Sequence, residues 1–286
     1  MIILSYKIRF WGVNMKRSNR LIAMTNYFLD HPKRQIQLPY FSNKYNASKS
    51  SISEDLDIID EMFRNEGIGH LERVSGAAGG VKYIPYFSRE KSKLFIEDLC
   101  KQLEDPIRIL PGGYLYMSDI LGDPHLVKQI GQTFATIFSE LDIDVVVTVA
   151  TKGIPLAYAV ASFLNVPVVI VRRDPKVTEG SSVSINYVSG SSKKIQTMVL
   201  PKRSLKNGVN VCIIDDFMKA GGTINGMQSL LDEFEANVKA IGVLAEADDE
   251  EDERVVNNYV SLVKITNVDI NKNNIHVEPG NVITQF

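Results

Sequence analysis

The first third of the chain carries apolar side chains three or four positions apart, which is helical spacing. One such run ends before Pro32 and predicts a first helix, and LPYFSNKYN predicts a short second one. A third, longer helix is predicted within ASKSSISEDLDIIDEMFRNEG, where Gly67 supplies the stop. The apolar stripes of the first and third helices consist of Leu21, Met24, Phe28, Leu29, Ile52, Leu56, Ile59 and Phe63.

The start of the third predicted helix, and the segment after it, indicate what kind of domain this is. Ser51 and Glu54 have the spacing of a capping box, in which each side chain accepts the other residue's backbone N–H. After the helix, two β-compatible runs flank a glycine-rich turn at residues 76–80. Three helices followed by a hairpin are typical of a winged helix-turn-helix domain.

Beyond Asp123 the pattern changes to continuous apolar runs that alternate with helix-like segments. The runs DVVVTVA, VPVVIVR, NVCIIDD and VKAIGVLAEA predict strands. Strands that are apolar throughout are buried on both faces, so we expect an α/β domain whose parallel sheet is covered by helices. Ligands of such sheets bind beyond the carboxyl ends of the strands.

These patterns predict two domains and a leading extension. Residues 1–14, which precede Met15, are expected to be an extension outside the fold. Residues 15–88 are expected to form the winged helix-turn-helix domain, and residues 89–286 the α/β domain, which opens with a connecting helix. The segment NYVSLVKITNVDINKNNIHVEPGN is expected to form a hood over a bound ligand.

Composition limits the class of protein but does not choose a function. The chain has 286 residues, 44% of them apolar, and a net charge of −2, so any nucleic-acid contact must come from a local basic patch. The two cysteines, Cys100 and Cys212, give no disulfide framework or metal spacing, and a reducing cytoplasm is expected. No run of eighteen apolar residues predicts a membrane span.

The predicted winged helix places hydroxyl and basic side chains where DNA contacts them. The third helix opens with small hydrogen-bonding residues around Lys49, which suits a first turn that enters the major groove. Residues 15–88 carry ten Lys/Arg against eight Asp/Glu, so charge alone also fits a domain that dimerises or binds a protein. The predicted DNA-facing residues are Lys16, Arg17, Arg20, Ser48, Lys49, Ser50, Ser51 and Lys82.

One candidate anion loop is ATKGIP, which follows the first strand of the α/β domain. In it Thr151, Lys152 and Gly153 combine a cation with a tight turn, and backbone N–H groups of such a turn attract anions. An ordinary strand-to-helix turn is the alternative.

The long insert after VPVVIVR is rich in Ser, Lys and Gly, with β-type alternation in SVSINYV and KIQTMVL. It predicts a hairpin that acts as a flexible loop over the ligand, and a solvated surface hairpin is the alternative. Its candidate ligand-binding residues are Arg172, Lys176, Lys193 and Lys194.

The third candidate is VCIIDDFMKAGGT, where a strand from Val211 to Ile214 leads into two acids and a turn. Asp215 and Asp216 suit the two hydroxyls of a ribose, and a Mg²⁺ shared with a pyrophosphate would also relieve their repulsion. The turn before the following helix suits a phosphate monoester. The turn consists of Lys219, Ala220, Gly221, Gly222 and Thr223.

VCIIDDFMKAGGT resembles the phosphoribosyl pyrophosphate (PRPP) signature of type I phosphoribosyltransferases. The resemblance implies that the acids bind ribose hydroxyls, the turn binds the 5′-phosphate, and ATKGIP binds the pyrophosphate. With a winged helix in front, the whole chain is similar to the purine operon repressors of Gram-positive bacteria. The resemblance implies a repressor of purine biosynthesis genes that binds double-stranded promoter DNA and is released by PRPP. A winged helix that reads a palindromic site works as a two-fold pair, so we also expect a homodimer.

The sequence favours a sensor over a catalyst. Several transferases carry an acid three residues after the acidic pair, positioned to exchange a proton with the base, and here that position is Lys219. We therefore expect no catalytic residue, no tightly bound cofactor, and no metal held by protein groups alone. PRPP, with or without Mg²⁺, or a similar polyphosphate such as guanosine tetraphosphate is the expected effector. An active purine phosphoribosyltransferase fused to a DNA-binding domain is the alternative.

Overall fold

A computed structural model describes residues 15–76, 79–110, 114–174, 180–188, 195–247, 254–269 and 272–285. The chain divides into two compact units, Met1–Ile84 and Pro85–Phe286, a few residues before the predicted boundary at 88/89. The predicted extension, residues 1–14, lies outside the described residues.

The first unit has the predicted order of three helices and a two-stranded sheet. Its core is built from aromatic and aliphatic side chains of all three helices together with the hairpin, among them Phe28, Phe41 and Phe63. After the third helix, Gly67 adopts a positive φ of 58°, the conformation that glycine allows at a helix end. The elements are α1 (Arg17–Asp30), α2 (Leu38–Tyr45), α3 (Lys49–Asn65), β1 (Gly69–Val74) and β2 (Gly80–Pro85).

The predicted capping box at the start of α3 is wrong. Ser48 is the N-cap, and its Oγ accepts the backbone N–H of Ser51 at 3.2 Å. Glu54 reaches Arg17 instead, at 3.5 Å. The helix therefore begins one turn earlier than the Ser51–Glu54 spacing indicated, because another serine three residues before Ser51 competes for the same role.

Among the described residues, the second unit contains a six-stranded sheet and nine further helices and strands around it or beside it. Short 3₁₀ turns also lie at Pro106–Arg108 and Asn281–Gln285. In chain order the elements are α4 (Arg89–Leu103), β3 (Ile109–Leu110), β4 (Tyr114–Leu115), α5 (Ser118–Gly122), α6 (Pro124–Ile137), β5 (Val145–Val149), α7 (Gly153–Leu164), β6 (Val168–Val171), β7 (Ser182–Val188), β8 (Ile195–Pro201), β9 (Asn210–Met218), α8 (Gly222–Asp232), β10 (Asn237–Ala247), β11 (Val260–Asp269) and β12 (Asn274–Pro279).

The main sheet has the strand order β12-β11-β10-β9-β5-β6, and all neighbours are parallel except β11 and β12. One face packs on α4, α5, α6 and α7, and the other on α8 and the β7–β8 hairpin. This layered α/β arrangement confirms the predicted fold. Cys212, on β9, is completely buried, as its place in an apolar run predicted.

The predicted hood at the carboxyl-terminal end is wrong. The segment instead supplies β11, parallel to β10, and β12, antiparallel to β11, so it widens the main sheet. Its alternating hydrophobic pattern is that of a sheet strand, and β10 offers an open edge to pair with. Among the described residues, no helix combines the length and apolar character that crossing a bilayer requires.

Candidate functional site

The acidic pair lies within a strand, not after one. β9 continues through both acids to Met218, which corrects the predicted strand end at Ile214. Asp215 is 3% exposed, and its Oδ1 accepts the backbone N–H of Asp216 at 3.0 Å. Two carboxylates are thus held together at the carboxyl edge of the central strands, where ligands of parallel sheets bind.

The ATKGIP loop meets this acidic pair directly. β5 and β9 are parallel neighbours, with Val147 opposite Ile213, so the residues after β5 come next to the acids. A Cβ added to Gly153 would lie 3.1 Å from Asp215 Oδ1 and closer still to Thr148 Oγ1. The close approach requires glycine here, and it places exposed Thr151 and Lys152 beside the carboxylates.

The two acids have altered proton affinities. Burial, and then repulsion from Asp216, raise the pKa of Asp215 well above the usual value. Burial also raises the pKa of Asp216, whereas the nearby charge of Lys152 lowers it. Hydrogen-bond donors or a cation placed beside these carboxylates would favour their charged form, which burial disfavours.

The predicted phosphate turn lies at the amino end of α8. Gly221 is the N-cap residue, with a positive φ of 87°, and α8 begins at Gly222 as the sequence predicted. The first N–H groups of a helix have no partner within it and carry the positive end of the helix dipole. The Thr223 hydroxyl lies in the same first turn, and Lys219 precedes it by four residues, so this helix start has the hydrogen-bond donors that an anion requires.

The predicted flexible loop is a hairpin, since β7 and β8 pair antiparallel along seven residue pairs. Arg172 bridges to Val199 through two backbone hydrogen bonds, of 3.1 and 2.7 Å, which tie the base of the hairpin to the end of β6. Lys176, Lys193 and Lys194 lie outside the described residues. Within the described part of the chain, no group of three or more His, Cys, Asp or Glu side chains is arranged to hold a metal ion.

In the first unit, the start of α3 is accessible. Ser48, Lys49 and Ser50 are exposed, and Ser51 is half-buried. The serine hydroxyls bond to one another: Ser48 Oγ lies 2.9 Å from both Ser50 Oγ and Ser51 Oγ. This exposed helix end presents a lysine, hydroxyls and the positive end of the helix dipole on one surface.

Two of the predicted DNA-facing arginines are occupied elsewhere. Arg20 is buried, and its Nε donates to Asp55 Oδ2 at 2.5 Å. Arg17 is about half exposed, and its Nε donates to Asp55 Oδ1 at 2.9 Å. Arg20 therefore belongs to the core of the unit, which corrects its assignment to a basic front; only Lys16 of that group is exposed without a described ion pair.

The predicted wing lysine is also paired. Lys82 Nζ lies 3.1 Å from Glu72 Oε1 across the hairpin, and both groups keep contact with solvent. A partly exposed pair of this kind contributes little to stability and leaves the lysine able to change partner.

Comparison with known proteins assigns both units. The model of the bacterial purine repressor amino-terminal domain matches residues 16–85, and the phosphoribosyl transferase domain model matches residues 117–280. The purine biosynthesis transcriptional repressor PurR of Bacillus subtilis (strain 168) is 58% identical over 96% of each chain. The chain belongs to the PurR family of purine biosynthesis transcriptional regulators.

The PurR family contains proteins of opposite regulatory sign. The purine biosynthesis transcriptional activator PurR of Lactococcus lactis subsp. lactis is 47% identical over 94% of this chain and 98% of that relative. Family membership thus confirms the recognition made from VCIIDDFMKAGGT and the winged helix.

The second unit is also similar to enzymes. Xanthine phosphoribosyltransferase of Ligilactobacillus salivarius is 28% identical over 62% of this chain and 98% of that relative. Adenine phosphoribosyltransferase of Thermoanaerobacter pseudethanolicus matches 59% of this chain and 99% of its own structure, with a TM-score of 0.51 and 20% identity. The structural match confirms the phosphoribosyltransferase-type fold.

Two groups, one in each unit, were not selected as candidate site residues from the sequence. Arg173 follows Arg172 in the basic insert; it is exposed, and its charge lowers the pKa of Asp215, yet only Arg172 was selected. In the first unit, Lys44 Nζ lies 5.4 to 5.5 Å from the ring centres of Tyr27, Tyr40 and Tyr45. The aromatic residues interleaved with lysine in LPYFSNKYN were the available signal.

Proposed function

We propose that this protein represses purine biosynthesis genes, binds their promoters through the first unit, and is released by PRPP bound in the second unit without turnover. Family membership supports the regulatory role. One observation carries the effector assignment: the buried Asp215 and its half-buried neighbour Asp216 lie on the central strand that leads into the Gly221 turn and the amino end of α8.

The chemistry of PRPP fits this arrangement part by part. Ribose hydroxyls donate hydrogen bonds to the carboxylates of Asp215 and Asp216. Because the hydroxyls are neutral, they add no negative charge beside these acids. The 5′-phosphate accepts hydrogen bonds from the backbone N–H groups at the amino end of α8 and from the Thr223 hydroxyl. The pyrophosphate takes the loop of Thr151, Lys152 and Gly153, with Mg²⁺ screening its charge.

A sensor differs from an enzyme in how it uses binding energy. Interactions that hold the ground state tightly do not accelerate a reaction. Lys219 adds a positive charge beside the phosphate turn at the position where several transferases carry the acid that protonates the base. Retention of a polyanion is thereby favoured, and proton transfer to a base is not supplied.

The DNA contact is proposed for the exposed start of α3, with Lys49 and Ser50 at its surface and Lys16 and Lys82 as further phosphate contacts. A winged helix that reads a palindromic site works as a two-fold pair, so we propose a homodimer.

Calorimetry of PRPP binding, with and without promoter DNA, tests the effector assignment. Wild type is expected to bind PRPP and to lose DNA affinity as it does so, because a ligand shifts an equilibrium only through differential affinity. Asp216→Asn is expected to abolish the PRPP response and to retain DNA binding. Asp232→Asn, the same change at an exposed position, is the matched control and should behave as wild type. Retention of the response in Asp216→Asn contradicts the assignment.

A turnover assay separates the sensor from the transferase alternative. The protein is incubated with PRPP, Mg²⁺ and each purine base, and released pyrophosphate is measured. We expect PRPP to bind in a fixed ratio to the protein without release of pyrophosphate. Steady accumulation of a nucleotide product would favour the enzyme instead.

Gel-shift titration of promoter DNA tests the first unit. Lys49→Ala is expected to weaken DNA binding and to leave PRPP binding unchanged, with Lys239→Ala, an exposed lysine of the second unit, as control. Affinity should fall roughly a thousandfold or more between about 50 and 200 mM salt if six or more phosphates are contacted. Unchanged DNA affinity in Lys49→Ala would show that α3 does not present its first turn to DNA.

A further inference from the structure

Near the carboxyl end of β10, outside the site already described, a buried carboxylate is held by three side chains. Glu246 is 3% exposed. Its Oε2 accepts from an Arg254 guanidinium nitrogen at 2.6 Å and from the Tyr259 hydroxyl at 2.5 Å, and its Oε1 accepts from the Ser261 hydroxyl at 2.6 Å. We call Glu246, Arg254, Tyr259 and Ser261 the Glu246 cluster.

The Glu246 cluster is fixed on several sides. Arg254 also donates to the Tyr259 hydroxyl and to the backbone oxygen of Ala247 at 3.3 Å, and its guanidinium carbon lies 5.4 Å from the centre of the Tyr259 ring. Asn281 closes the other side, with its backbone N–H donating to Ser261 Oγ at 3.1 Å. The buried Glu246 carboxylate holds its partners in place, because loss of any one hydrogen bond would leave a buried charge without a donor.

The residues directly after Arg254 contact the phosphate turn. The backbone N–H of Val255 donates to the Ala220 oxygen at 3.0 Å. A Cβ added to Gly221 would lie 3.0 Å from Val256 Cγ2, so the Val256 side chain fills the space beside the N-cap of α8. Three consecutive residues thus connect the cluster to the turn. Arg254 is held by Glu246, Val255 donates a backbone hydrogen bond to the turn, and the Val256 side chain packs against it.

We propose that Glu246 and Arg254 are positioning residues for the 5′-phosphate turn, Lys219–Thr223, and set its affinity for a phosphate monoester without touching it. This inference rests on the proposed function of the turn. Backbone donors bind an anion well only when they are held in the productive arrangement before the ligand arrives. The Val255 hydrogen bond and the Val256 side chain supply that constraint, and the Glu246 cluster holds both.

Two ligand fragments separate positioning from general stability. Ribose 5-phosphate uses the phosphate turn, whereas pyrophosphate uses the loop of Thr151 to Gly153. In calorimetry, Glu246→Gln and Arg254→Gln are expected to lower the affinity for ribose 5-phosphate by about tenfold. The affinity for pyrophosphate should stay within about twofold of wild type. Arg108→Gln is the matched control, since Arg108 is a buried arginine that, like Arg254, forms an ion pair, here with Asp119 at 2.7 Å. It should change neither affinity.

Hydrogen exchange of the ligand-free protein tests the same idea without any ligand. Both variants are expected to exchange faster in the peptide that spans the turn and the first turn of α8, with other regions unchanged. The proposal is overturned if the peptide exchanges at the same rate in variant and wild type. It is also overturned if a variant loses affinity for ribose 5-phosphate and pyrophosphate by the same factor. Failure of wild type to bind ribose 5-phosphate would instead count against the proposed function, and the exchange result would still decide the inference. Should either variant not fold, Tyr259→Phe removes one donor to Glu246 and keeps the ring, and the same outcomes apply to it.

Discussion

Two buried acidic groups, one in each unit, are treated in opposite ways by this protein. Asp55 in the first unit is completely buried and accepts from both Arg17 and Arg20. Asp215 in the second unit is almost as buried, but its nearest charged neighbour in sequence is another acid, Asp216. One carboxylate is neutralised by arginines within the fold, and the other lies beside a second carboxylate.

The difference separates a structural charge from a functional one. A buried ion is costly unless it is paired, so a paired acid such as Asp55 serves the fold. An acid pair whose pKa values are raised stores an unfavourable interaction that a bound ligand relieves, which is a common property of functional sites. Burial alone does not distinguish the two cases, whereas the sign of the neighbouring charge does.

Removing the neutralised acid has the largest expected effect. Asp55→Asn leaves Arg20 buried without its charged partner, and breaking a buried ion pair costs about 3–5 kcal/mol. We expect the first unit to unfold at a clearly lower temperature, as measured by thermal denaturation, and DNA binding to fall with it. Asp57→Asn is the control, because Asp57 is exposed and pairs with Arg73 at the surface. Equal destabilisation by both changes would contradict the structural role of Asp55.

Removing the unneutralised acid is expected to act in the opposite direction. Because the pKa of Asp215 is raised in the folded state, its contribution to stability is full below the unfolded pKa and is lost as pH rises through the folded pKa. At neutral pH the charge therefore destabilises the ligand-free protein. Asp215→Asn should therefore raise the free energy of unfolding and, with it, the melting temperature.

The same stabilisation should be absent or reversed when PRPP is present, since only wild type gains from the ligand. Thermal melts of both proteins with and without PRPP measure this. A lower melting temperature for ligand-free Asp215→Asn would show that the acid is satisfied within the fold after all.

The pH dependence of effector binding is a third, smaller effect. Ribose hydroxyls require deprotonated carboxylates as acceptors, and the pKa values of Asp215 and Asp216 are both raised. PRPP affinity should therefore start to fall on acidification at a higher pH than an ordinary aspartate would give. Calorimetry from about pH 8 down to about pH 5 checks this, and Mg²⁺ should move the fall to lower pH. Affinity constant over that range would contradict the raised values.

The smallest effect is expected for Lys82, a surface charge that contributes little to the stability of the first unit. Lys82 is paired with Glu72 only across a solvated hairpin, so Lys82→Ala should change stability by about 0.5 kcal/mol or less. If Lys82 contacts a phosphate, the slope of DNA affinity against salt should become shallower by about one unit. An unchanged slope removes Lys82 from the DNA surface.

Much of the fold was accessible from the sequence because local signals agreed with the tertiary result. Apolar stripes located α1 and α3, and continuous apolar runs located β5, β6, β9 and β10. The signature from Val211 to Thr223 identified the family, since its acids and glycines have few other uses in that order. The boundaries failed where two local rules competed, as at Ser48 and Ser51, or where pairing extended a strand, as at Met218.

The sequence by itself determined the order of the elements, the family and the residues around the acidic pair, because these depend on neighbours in the chain. Only the tertiary structure decided which charges are available. Arg20 follows Lys16 by four residues in the sequence but reaches Asp55, 35 residues away. Val255 donates to Ala220 across a similar separation. Ion pairs and hydrogen bonds between distant residues leave no periodic pattern, since they depend on how the helices and strands pack and not on local spacing.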